Sequence, residues 1–281
     1  MGGVSGVYKS GAAADLAAVI DKAPRKGNGM PTNFQPKTSR IERLAKAFPY
    51  VVEEFESILD RKTSIYLDYA NIRGWSEKLG WHIDLKRLYQ LFESFTCPKR
   101  MAFYYGTMEG DNDSKELIKT TKAQGYEVTT KPVKRIRISI DASSVSAGSP
   151  DILCNFIARP LLKSLSVKQI EELNSHLKTL NSQGVLFFED LKCNFDVEIS
   201  THMLVDMING VEGFILWSCD GDFADTILKL LSAGLKVMTV GVSGRFAKEL
   251  NQLQPAGLRF FEVKRLKEFL CWPRELDAKF K

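Results

Sequence analysis

Trp217-Ser218-Cys219-Asp220-Gly221-Asp222-Phe223 places two carboxylates one residue apart, directly after the apolar run Gly213-Phe214-Ile215-Leu216-Trp217. Hard oxygen donors so spaced suit a divalent cation, Mg2+ or Mn2+ before Zn2+. Helix capping accounts for Asp220, but not for a second aspartate across a glycine. Upstream, Ser64-Ile65-Tyr66-Leu67-Asp68-Tyr69-Ala70-Asn71 reads as a strand that ends on Asp68, with Asn71 three positions on. A third acid, Asp196, follows the candidate cap Asn194 and falls in the first turn of an amphipathic helix, where negative charge is favoured. Asp206 lies further along that helix as a weaker candidate. The chemistry such a cluster offers is metal-assisted phosphodiester hydrolysis, with Asp68, Asp196 and Asp220 as ligands and Asp222 as a further ligand or base. Asn71 and Ser218 would orient substrate or water.

These acids meet only if strands deliver them to one edge. Strands are expected at 64–69, 100–106, 126–131, 213–218, 235–241 and 258–263, and helices at 83–96, 112–124, 195–209, 222–233 and 245–253. This alternation predicts an α/β fold with a doubly wound, mainly parallel sheet flanked by helices, which gathers ligands at the carboxyl ends of its strands. The rhythm breaks at 139–184, an insertion with a helix over Val167–Leu180. The segments flanking it, Arg135–Ile140 and Val185–Glu189, are expected to pair and to set a small lobe beside the acidic site. Residues 1–38 read as a flexible arm and 39–62 as an N-terminal helical extension opened by a capping box at Ser39-Arg40-Ile41-Glu42. Residues 63–263 form the main domain and 264–281 a short helical tail.

Taken in order, strand-borne Asp68 with Asn71, Asp196 before a helix, and Ser218-Cys219-Asp220-Gly221-Asp222-Phe223 resemble the NYN group of PIN-like nucleases. The resemblance runs from about Ser64 to Val263, and its most specific part is the last motif. It implies a parallel sheet with acidic residues at the carboxyl edge and metal-dependent cleavage of RNA. The chain departs from the family's pattern in three places. Cys219 stands where glycine is common, Gln254-Pro255-Ala256-Gly257-Leu258 carries no acid, and the insertion follows Ile140.

Composition narrows the alternatives. Five cysteines without a C-x-x-C spacing argue against a disulfide framework or zinc ribbon and for a reducing, cytoplasmic setting. No run approaches the roughly 20 apolar residues of a membrane helix, so no membrane partner is expected. The net charge of +5 is unevenly spread. Over residues 1–40, Lys9, Lys22, Arg25, Lys26, Lys37 and Arg40 outnumber Asp15 and Asp21, and Lys131, Lys134, Arg135 and Arg137 form a second basic stretch. Such cations would contact the phosphates of an RNA that the acids alone would repel, or simply guard an edge strand. Tyr69, Trp75 and Trp81 are open to base stacking or to the core. The insertion and the N-terminal extension are the surfaces open to a homo-oligomer or protein partner. Two other classes stay in view: a binding module without turnover, and an aspartyl phosphotransferase. The latter usually needs a second acid where Ala70 stands. A kinase or GTPase is weaker still, since no G-x-x-x-x-G-K-[ST] loop is present.

Overall fold

The computed structural model describes residues 33–276, so most of the basic arm lies outside the described residues. Strands β1 (Thr63–Asp68), β2 (Pro98–Thr107), β3 (Glu127–Pro132), β6 (Gly213–Trp217), β7 (Lys236–Gly241) and β8 (Arg259–Glu262) form one sheet in the order β3-β2-β1-β6-β7-β8, with every neighbouring pair parallel. The chain winds outward from β1 to β3, returns to the far side of β1, and winds outward again to β8. This is the expected doubly wound order, and its switch point lies between β1 and β6.

Side-chain alternation on these strands builds two apolar layers. Ile65, Leu67, Met101, Phe103, Ile215, Trp217, Met238 and Val240 face one layer, with helices Ser39–Ala47, Pro49–Leu59 and Leu85–Glu93. Tyr66, Ala102, Tyr104, Phe214, Leu216 and Val237 face the other, with helices Asp196–Ile208 and Ala224–Ser232. Both faces of the central strands are covered, as a parallel sheet requires.

The N-terminal extension is part of this core: Val51, Val52, Phe55, Ile58 and Leu59 are buried in the first layer together with Leu266, Phe269 and Leu270 of the tail. The Arg40 guanidinium donates to the carbonyls of Glu268 and Phe269 at 3.0 and 2.9 Å, tying extension to tail. Thr38, not Ser39, caps the first helix by accepting from the Ile41 N–H at 3.2 Å, so the expected capping box does not form. The helix expected over 245–253 shrinks to Lys248–Asn251 followed by a 3-10 turn at Gln254–Ala256. Pro255 in that segment lacks the N–H needed to continue the helix.

The insertion is carried on an antiparallel ribbon, β4 (Lys134–Ser139) with β5 (Phe187–Lys192), as expected. Beyond Ser139 and Phe187 a small lobe has its own cluster of Ile140, Ala142, Leu153, Leu162, Ile170 and Leu177. Its main helix, Val167–Ser182, starts at a capping box formed by Ser166 and Gln169. The lobe begins where these six strand pairs end, five residue steps or about 17 Å of ribbon at ~3.4 Å each from the base at Lys134 and Lys192.

Candidate metal centre

β1 and β6 are adjacent and in register from Thr63↔Gly213 to Leu67↔Trp217, so Asp68 and Ser218 leave the sheet side by side at the switch point. Ser218, fully buried, donates from Oγ to Asp68 Oδ2 at 3.4 Å and accepts the Asp220 N–H at 3.2 Å. One hydroxyl therefore links the two acid-bearing strand ends. With no exposed surface it positions aspartates and does not reach substrate or bulk water, contrary to the expectation from sequence. Asp220 accepts the Asp222 N–H at 3.2 Å and so caps the 3-10 turn Gly221–Phe223. The capping role and the site role coexist: the same turn sends Asp222 to the surface beside it.

Carboxylate oxygens of Asp196, Asp220 and Asp222 lie within 4.8 Å of one another. Asp196 arrives from the N-terminal turn of its helix. Asn194 does not cap that helix; its Nδ2 donates to Asp196 Oδ2 at 2.7 Å and aims the carboxylate. Asp68 lies outside this trio, set back in the sheet with 5% exposure. Burial pushes its carboxyl up to about 6, assisted by the negative charges of Asp196 and Asp220 and opposed by the Asn71 N–H and Ser218. Burial, then the charges of Asp220 and Asp222, also raises Asp196. Like charges brought together in a partly desolvated place disfavour ionisation, and a cation would remove that cost. The donors are all oxygen, with no imidazole or thiolate in the trio, a set chemically suited to a hard cation.

The glycine between the two aspartates has a steric reason. A Cβ on Gly221 would stand 2.8 Å from Glu249 Oε2 and 3.1 Å from Ala247 Cβ, and Ala247 is fixed by its N–H to the Cys219 carbonyl at 3.0 Å. Cys219 packs its sulfur over Gly241 of β7, where a side chain would collide with it. Burial raises its thiol pKa, so it remains a protonated packing group.

Other expected residues fall in different places. Asn71 turns its Oδ1 to the Trp75 Nε1–H at 3.1 Å and serves Asp68 through its backbone N–H at 3.4 Å. Ten residues, about 15 Å of helix at ~1.5 Å each, separate Asp206 from Asp196, so Asp206 is no part of the site. Its Oδ2 accepts from Tyr66 Oη at 2.6 Å and its Oδ1 pairs with Arg100 at 3.6 Å, both beneath the sheet edge. Trp75 and Trp81 are core residues, and Tyr69 packs on Phe103 and Tyr105 at 4.9 and 5.5 Å. Lys131 borders the acids: its Nζ pairs with Glu198 Oε1 at 2.5 Å and lies 4.7 Å from the Phe195 ring. Arg135 and Arg137 both reach Glu189 across the ribbon, at 3.4 and 3.6 Å, while Lys134 is exposed. Two acids near the site carry no expectation from the sequence: Glu198, two residues after Asp196 in the same first helical turn, and Glu249, which meets Gly221 only through the fold.

No family model and no curated protein sequence matches this chain. Among solved structures it is similar to a protein of unknown function from Vibrio parahaemolyticus, at 16% identity and a TM-score of 0.45, over 72% of this chain and 93% of that one. Among the described residues no helix is long and apolar enough to cross a membrane.

Proposed function

We propose that this chain is a PIN-like, metal-dependent endoribonuclease that hydrolyses phosphodiester bonds at the carboxyl edge of its sheet. The observation that carries the reading is the convergence of Asp196, Asp220 and Asp222 within 4.8 Å, with Asp68 directly behind, at the switch point of a doubly wound sheet. The order and identity of these acids, which resemble the NYN motifs, support RNA as the substrate. Asp196, Asp220 and Asp222 would hold Mg2+ or Mn2+, and a bound ion supplies Lewis-acid polarisation of the phosphate and a lowered pKa for attacking water. Asp68 adds a buried carboxylate whose ionisation the ion would favour. Ser218, Asn194 and the Asn71 N–H hold the acids in place, so that little reorganisation is needed as the ion and phosphate enter. Lys131 offers a cation at the rim.

The test is cleavage of a labelled RNA by the purified chain with Mn2+ or Mg2+, against chelated controls. Asp220→Asn should reduce cleavage by at least a hundredfold while the chain stays folded, because asparagine is as good a cap as aspartate. RNA binding without cleavage in either metal would replace the nuclease reading with that of a binding module.

A further inference from the structure

The ribbon that carries the insertion holds an unfavourable pair. Lys134 of β4 stands directly opposite Lys192 of β5, and like charges so placed weaken a two-stranded sheet. Both are exposed, and among the described residues neither has an acid at ion-pairing distance. The two arginines on the other face share Glu189 instead. The lysine pair lies at the base of the ribbon, where β4 leaves the carboxyl end of β3 and β5 runs four residues on to Asp196.

Further along the same face, Ile138 is opposite Phe188. Phe188 and Phe156 meet edge to face at 6.0 Å, 40% and 38% exposed respectively. Between them and the lysines stand Ile136, 40% exposed, and opposite it the exposed Asp190, one acid against the two lysines on this face. Two cations at the base of the ribbon, four residues of chain before Asp196, then an exposed aromatic platform about 13 Å up the ribbon (four residues at ~3.4 Å), match an anionic backbone bearing π-faced groups. They match a second copy less well, because it would bring its own lysine pair, and an acidic peptide less well, because it need not carry a π-faced group at each step for the platform.

We infer that this face of the ribbon guides an unpaired RNA strand into the acidic site, its phosphates on Lys134 and Lys192 and a base on Phe188 and Phe156. The inference rests on the nuclease reading for the direction in which the strand runs. A duplex cannot use the platform, since its bases are stacked on one another.

Fluorescence anisotropy of the full chain in EDTA, with a fluorescein-labelled unstructured RNA and the same sequence as a duplex, separates binding from cleavage. Lys134→Thr with Lys192→Thr keeps strand propensity and removes the repulsion, so thermal stability should hold or rise. The variant should bind the single strand at least tenfold more weakly and flatten the slope of log K against log salt by about 1.4, two phosphates at ~0.7 each. Phe188→Ala should weaken binding roughly tenfold with the slope unchanged. Variants that bind as wild type does, a preference for duplex, or a wild-type dimer that the lysine variant dissolves in light scattering would overturn the inference. Failure of the nuclease reading would show separately, as wild type that binds the strand in EDTA yet leaves it uncut with Mn2+.

Discussion

Replacing Asp68 with asparagine should make the metal-free protein more stable, and only above mildly acidic pH. The folded carboxyl has its pKa raised to about 6, against about 3.9 in an unfolded chain. Below pH 4 the carboxyl is protonated in both states and has no differential effect. As pH rises through 6 the native state must ionise a buried group that the unfolded state ionises freely, so stability is lost over that window. A difference of about two pH units at 1.36 kcal/mol each is a cost of ~3 kcal/mol at pH 8. Asparagine retains an oxygen for the Asn71 N–H and offers an amide to Ser218, both across contacts that are long at 3.4 Å. The net gain should therefore be about 2 kcal/mol at pH 8, or ~4–8 °C in Tm for a domain of this size, and near zero at pH 4. Thermal denaturation of both proteins across pH 4–8 in EDTA measures it. Saturating Mn2+ should stabilise wild type more than the variant, because the ion binds the folded site only. An Asp68→Asn protein less stable than wild type at pH 8, or a difference independent of pH, would refute the reasoning.

Gly221→Ala should cost about 1–3 kcal/mol through collision with Ala247 and Glu249 and weaken Mn2+ binding in calorimetry; unchanged affinity would mean the turn does not set the acid spacing. Arg100→Met should destabilise by about 3 kcal/mol, because Asp206, 4% exposed, loses its cation. Adding Asp206→Asn should restore part of that loss in urea unfolding, and strictly additive effects would show that the two side chains do not interact.

The sheet was legible because its strands are apolar runs ended by turn residues, and the alternation of strands with helices left a parallel sheet as the reading. Asp68, Asp196, Asp220 and Asp222 were legible because each stands where a strand ends or a helix begins, and there position along the chain predicts position in space. Asp206 was misleading for the same reason it looked promising. It shares a helix with Asp196, yet helical rise carries it away from the edge into a buried pair with Tyr66 and Arg100. Ser218 looked like a substrate contact because sequence shows its neighbours but not its burial. Asn71 and Asn194 stand where expected but with other duties: the side chain of Asn194, expected as a cap, supports an acid, and that of Asn71, expected to orient substrate, accepts from a tryptophan. Such assignments depend on rotamers, which local spacing does not encode.

Ser218 and Asp68, joined through the serine hydroxyl, are 150 residues apart in the chain, and the lobe at the end of the ribbon lies within that interval. Closing a loop of such length costs only about 0.6 kcal/mol more for each doubling, so the size of the lobe has almost no bearing on whether the two strand ends meet. With its own small core and two adjacent points of attachment, the lobe is thermodynamically interchangeable: it could be shortened, enlarged or exchanged while the acid edge kept its geometry. Change in the lobe and constancy at the edge are thus independent degrees of freedom in this fold.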